Sequence, residues 1–308
     1  MTSPFERPGP AALPPLPRSL RRFLLALVAA LFVAFAVIPW LASFFTDWLW
    51  FKEVGFQTVF ATSLVARIGL FVLGGAFAFA WFYGNVRIAR GSATGFPVLY
   101  INRGDGVSID ISRAFTRLFF PAALFIALLT AISFSASWLT VLKGLNGVSL
   151  GQRDPLFNRD ISFYLFSLPL ISGVLGTLIT LTFVSLIAAG AMYWLRKDIT
   201  LPPRRSTAKP RAARHLGALV AFLFVLLALR LWIVGTSSLL YSTTGPLIGA
   251  SYTDVNVGLP GLHVSAIAAI IAAACRRAHA TNGAQGESGE LFRRVADNRR
   301  AGLLTTWR

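Results

Sequence analysis

Charge is scarce in this chain, and acidic charge is scarcer still. Only 13% of the 308 residues are charged, and Asp and Glu together number 12 against 29 Lys and Arg. Soluble domains carry roughly a quarter charged residues, so the shortage excludes an ordinary soluble domain. A single cysteine, Cys275, excludes an internal disulfide framework and a cysteine-built metal site. It reads as a small apolar helix residue. Histidine is limited to three positions, and His215 and His279, without metal-ligand spacing, read as surface groups. What remains is 55% hydrophobic, with a mean hydropathy of +0.65.

Six uncharged or nearly uncharged stretches approach the ~20 apolar residues that a spanning helix needs. They place spans at about 23–45, 64–86, 118–140, 170–195, 216–239 and 257–275. The predicted fold is therefore all-α, a polytopic bundle of transmembrane helices. The uncharged run 161–195 exceeds one upright helix, and Pro169 is expected to split it into an interfacial lead, SFYLFSLP, and a span. Pro121 lies near the start of the third span, where a first helical turn tolerates it. The first apolar stretch is longer than a signal-peptide core and lacks a small-x-small cleavage site, so a retained span is expected.

The net charge of +17 would suit nucleic acid, but its distribution argues for a membrane and against nucleic acid. Lys and Arg number four before the first span, five in 87–117, seven in 196–214 and seven after Cys275. The alternate segments hold only Lys52, Lys143, Arg153 and Arg159, while Arg67 and Arg230 fall within spans. This bias predicts a cytoplasmic N-terminus. Residues 1–22 read as a Pro-rich basic cytoplasmic tail, 23–275 as the membrane domain and 276–308 as a basic, disordered tail. The polybasic loop RKDITLPPRRSTAKPRAAR is expected to meet anionic lipid headgroups.

Three strings in the predicted outer segments carry a family resemblance: TDWLWFKEVGF at 46–56, DPLFNRDISFYLFSLP at 154–169 and GASYTDVN at 249–256. In order and spacing they resemble the uncharacterised protein family 0182, large multi-pass proteins of bacteria, over about residues 20–270. The resemblance implies a chain several times longer, with about seven spans and a large soluble region outside the membrane. It implies no established activity and transfers no catalytic residue. After Cys275 the sequence departs from that pattern, which is the expectation for a prematurely ended or out-of-frame product.

The candidate chemistry is thin. GVSLG at 147–151 fits a nucleophile elbow, and Ser149, Asp154 and His263 occur in the order of a hydrolase triad. No parallel sheet is predicted to hold them, so a Gly-rich turn is the stronger reading. The outer acids Asp47, Glu53, Asp154, Asp160 and Asp254 could gather a hard cation, but helix capping by Thr46 or Asp47, Asp160, and Thr253 or Asp254 is favoured. Arg67 and Arg230 call for a partner, a path to water or a solute pathway. Trp48, Trp50 and Phe51 read as interfacial anchors on a short helix opened by Thr46 or Asp47.

The sequence thus points to a plasma-membrane anchor or scaffold for an extracytoplasmic domain or partner, without a cofactor or enzymatic role. A transporter or channel component using the two arginines and the outer carboxylates is the alternative. A continuous polar cavity beside Arg67 or Arg230 would favour it.

Overall fold

The computed structural model describes residues 17–91, 100–103, 107–196, 198–200, 207–243 and 248–276. Residues 1–16 and 277–308, most of both predicted tails and with them His279, lie outside the described residues. Among those described, six helices are long and apolar enough to cross a membrane: Ser19–Glu53, Gln57–Arg90, Arg117–Ala136, Phe163–Leu195, Pro210–Tyr241 and Asp254–Arg276. The chain divides into two compact units at Leu64 and Val65.

The first unit opens with α1 (Arg18–Phe32), a π turn (Val33–Val37) and α2 (Ile38–Glu53), which run as one helix. The expected fresh helix start at Thr46 or Asp47 is therefore corrected. Thr46 sits mid-helix, its hydroxyl donating to the Ala42 carbonyl at 2.8 Å. Such back-bonding satisfies a hydroxyl where no water is needed. The real stop is Val54-Gly55-Phe56. Gly55 adopts a left-handed φ of +79°, Phe56 N–H donates to Phe51 O and Gly55 N–H to Lys52 O. These two bonds form a Schellman cap, which favours glycine at the left-handed position. The chain then folds back, and Phe60 at the start of α3 (Gln57–Arg90) packs on Phe44 and Phe51, both ring pairs at 5.6 Å.

The second unit holds the rest of α3, α4 (Ile111–Ala136), α5 (Trp138–Leu145), α6 (Leu168–Leu195), α7 (Pro210–Leu229) and α8 (Asp254–Arg276). Two small antiparallel ribbons, unforeseen in the sequence, join helices at one end: β1 (Tyr100–Arg103) with β2 (Val107–Asp110), and β3 (Ile199–Thr200) with β4 (Thr207–Ala208). That end also gathers the main apolar cluster, in which Phe82 and Val86 of α3, Ala123 of α4, Ala189, Met192 and Tyr193 of α6, and Leu219 of α7 meet. Alanines at the contacts let the helices approach closely, as packing between apolar spans requires.

Prolines shape the helices differently from the expectation. Pro169 does not break the fourth span, because the π turn Phe163–Ser167 precedes it and the helix continues to Leu195. Leu168 N–H reaches five residues back to Phe163 O. The same device precedes Pro39, with Ile38 bonded to Val33, and Pro260, with Leu259 bonded to Asp254. A proline lacks an N–H and its ring clashes with the carbonyl four residues back. A widened turn moves that carbonyl aside while the preceding residue still makes a bond. The π turns carry these three spans past their prolines, whereas Pro121 lies inside α4, well past its first turn, which corrects the expected place near a helix start.

Candidate functional site

At the end opposite the ribbons, residues 146–161 form a compact knot around two carboxylates. Asp154, 8% exposed, accepts from Leu156 N (2.8 Å), Phe157 N (2.6 Å), Arg159 N (2.9 Å) and the Tyr164 hydroxyl (2.8 Å). Burial opposes its ionisation, but these donors outweigh burial and hold its pKa below the ordinary aspartate value. Asp160 accepts from the Ser149 hydroxyl and from the N–H groups of Leu150, Gly151 and Ser162. The Ser149 hydroxyl leads the causes that hold Asp160 well below the usual carboxylate range. Asn158 closes the knot with a left-handed φ of +53°, a conformation asparagine tolerates better than most residues.

Asp254 serves a third local structure. Ser251 N–H and its hydroxyl donate to Asp254 Oδ2 at 3.0 and 2.8 Å, and Asp254 N–H donates back to Ser251 Oγ at 3.2 Å. This reciprocal pair is a capping box that starts α8. Ser251 is the cap, a position missed by the expectation of capping from Thr253 or Asp254. The Ser-x-x-Asp spacing would have revealed it.

The proposed triad is not assembled. Ser149 donates to Asp160, Asp154 is engaged by the knot, and the His263 ring stacks on Trp232 with centroids 4.4 Å apart. A strongly acidic aspartate is also a poor base for a serine hydroxyl. Among the described residues, no group of three or more His, Cys, Asp or Glu could hold a metal ion. Asp47 and Glu53 lie exposed on α2. On the same helix Trp48 and Trp50 are 40% and 54% exposed, Lys52 sits 5.5 Å from the Trp48 ring, and Phe51 meets Trp50 edge-on at 4.9 Å.

The two intramembrane arginines have different surroundings. Arg67 lies over the Trp138 ring at 5.1 Å, a cation–π contact at the α4–α5 break. Arg230 begins a π turn (Arg230–Gly235) that continues α7. It lines a groove of about 490 Å³ with Thr130 and Ser133 of α4 and Ser172, Gly176 and Thr180 of α6. A second cavity of about 270 Å³ shares Ser133, Gly173 and Thr177 with it and reaches Thr140 and Pro169. A partly polar groove therefore exists beside Arg230, with Ile126, Leu129, Leu181 and Val184 also in its lining. It lies on the flank of the bundle, where Leu129 is 52% exposed, and Ile126 and Val184 in its lining pack against the apolar cluster.

His215 is the clearest residue that sequence reasoning misplaced. It is half-buried and bridges three helices: Nδ1 lies 3.1 Å from the Tyr193 hydroxyl of α6 and Nε2 3.1 Å from Asn85 Oδ1 of α3. Nothing in its local sequence signals partners 22 and 130 positions away. Nearby, Arg196 and Arg211 donate to the Ala89 and Ile88 carbonyls at the end of α3, and Asp198 pairs with Arg196 and Lys209. Cations belong at such helix C-termini.

Residues 24–285 match the family described as Uncharacterised protein family (UPF0182). The chain belongs to that family. A UPF0182 protein of Geobacter sulfurreducens is 34% identical over 258 residues, covering 82% of this chain and 29% of the relative. Those of Kocuria rhizophila and Thermobifida fusca are 32% and 34% identical, covering 89% and 83% of this chain but 28% and 25% of their own lengths. The chain thus spans less than a third of these UPF0182 relatives. No solved structure matches it. With six apolar helices and bacterial relatives, it is a multi-pass protein of the bacterial plasma membrane.

Proposed function

We propose that this UPF0182 segment is a membrane anchor and scaffold, with its N-terminus in the cytoplasm and the carboxylate knot on the outer face. The observation that carries the reading is the saturation of Asp154 and Asp160 by donors of their own loop. Carboxylates spent on ordering a loop are withdrawn from catalysis and cation binding, so no enzymatic role is assigned. They leave a fixed surface on which an extracytoplasmic domain or partner can rest. The basic ribbon end then faces the anionic headgroups of the inner leaflet, consistent with the bias of Lys and Arg.

Topology is tested with single cysteines in a Cys275→Ala background. Leu150→Cys should react with a membrane-impermeant maleimide on intact cells, and Thr207→Cys only after permeabilisation; the reverse pattern overturns the orientation. Anchoring is tested by reconstitution, with vesicles expected to pass no more phosphate or small cations than protein-free controls. A second reading, a transporter component, is favoured by the polar groove at Arg230. Flux abolished by Arg230→Gln would establish it at the expense of the anchor.

A further inference from the structure

We propose that the groove between α4 and α6 binds the phosphate-bearing headgroup of an anionic membrane lipid, with Arg230 as its charged seat. The proposal stands apart from the anchoring reading, since a lipid can be bound by an anchor or a transporter.

Four observations converge on the groove. First, Arg230 has no hydrogen-bond or ion-pair partner among the described residues, and no carboxylate lines either cavity. A guanidinium inside a span without counter-charge is costly and marks a functional position. Second, its place is built. Nη1 lies 3.4 Å from where a side chain on Gly176 would begin, so glycine there lets the guanidinium rest against α6.

Third, Arg230 opens the one described π turn that no proline follows; Thr236 N–H reaches back to Leu231 O without a missing donor to explain it. π turns inside helices concentrate at functional sites. Fourth, the hydroxyls are divided. Those of Thr130, Thr177 and Thr180 donate to carbonyls of their own helices, four residues back. Those of Ser133 and Ser172 make no hydrogen bond among the described residues and remain as donors.

A fork of guanidinium N–H groups with two serine hydroxyls is an arrangement for phosphate oxygens. The adjoining cavity supplies the rest of the ligand's surface, with Phe134, Val141, Leu170 and Val174 as an apolar wall. Leu129 and Val174, which line the two cavities within spans, are 52% and 41% exposed, which favours a lipid over free phosphate.

The test is native mass spectrometry of the purified 308-residue chain in detergent, titrated with phosphatidylglycerol, phosphatidylcholine or inorganic phosphate. Phosphatidylglycerol should bind preferentially. Arg230→Gln and Gly176→Leu should each weaken that binding about tenfold, the loss of one charge-assisted contact, whereas Arg67→Gln should not. Should either groove variant fail to accumulate, Ser133→Ala with Ser172→Ala keeps the charge and should weaken binding about threefold. Unchanged affinity in these variants overturns the site. Equal retention of phosphatidylcholine overturns the headgroup assignment, and displacement of the lipid by inorganic phosphate assigns the site to a free anion.

Discussion

The two ends of the second unit are held by opposite means. At the ribbon end, α3, α4, α6 and α7 converge on apolar side chains, with Ala123 and Ala189 fully buried between them. At the knot end α4 leans toward α3 instead. A side chain on Gly74 would begin 2.9 Å from Phe134 Cβ, and one on Gly75 would begin 3.1 Å from Ala131. That leaning parts α4 from α6 and opens the groove at Arg230, while α5 crosses back and packs Gly144 on Leu170. Order at this end comes from polar saturation above the groove rather than from apolar packing. Small residues thus decide which helix a span follows, and polar loops hold what the spans leave open.

The largest expected effect lies at the knot. Asp154→Ala leaves three backbone N–H groups and the Tyr164 hydroxyl without their acceptor, at about 3 kcal/mol. Hydrogen exchange should accelerate at Leu156, Phe157 and Arg159 and stay unchanged at the ribbon end. Acid should act the same way. Because the folded-state pKa of Asp154 lies below 3.8, its contribution is complete above that value and is lost as pH falls through the lower folded-state value. Corrected exchange rates in the knot should rise below about pH 4, with Asp154→Asn reducing the dependence at Leu156, Phe157 and Arg159 and the part due to Asp160 remaining. Protection that is flat down to pH 2 would break the contrast between the ends.

A smaller effect is expected at the apolar end. Ala189→Phe adds a ring where the wild-type side chain is fully buried, and such overpacking costs about 2 kcal/mol. The thermal midpoint should drop while knot protection is retained. If the substitution instead loosens the knot first, the ends are not independent. The corresponding change at the open end, Gly173→Ala, has nothing within 4 Å of its new Cβ and should be nearly neutral for stability.

Much of this was legible in the sequence, for identifiable reasons. Span count follows from hydropathy because lipid imposes one rule on every residue of a span. The strings that mark the family proved to be structural units: VGF is a Schellman cap, DPLFNRD is the knot and SYTD is a capping box. Each is local, so its residues announce it. The π turns were hidden because proline reads as a breaker unless the preceding turn can widen. The groove and the His215 bridge were hidden because they join residues far apart in the chain. Arg230 was visible as a charge; its seat on Gly176 was not.

The smallest effect should follow from His215→Leu, and its size sharpens the comparison. The substitution removes two interhelical contacts, to Tyr193 and Asn85, yet keeps an apolar body in the space. Hydrogen bonds between spans average only about 0.6 kcal/mol, because alternative partners exist in the unfolded membrane state. The expected loss is therefore about 1 kcal/mol, read as a modest fall in the thermal midpoint with Ala189 packing intact. Asp154 differs because its donors are mostly backbone N–H groups fixed by the knot. A loss at His215 as large as that at Asp154 would mean that polar contacts, not the alanine-lined apolar cluster, hold the ribbon end together. The two ends would then share one mechanism, and the open groove would need a different cause from the leaning of α4 on Gly74.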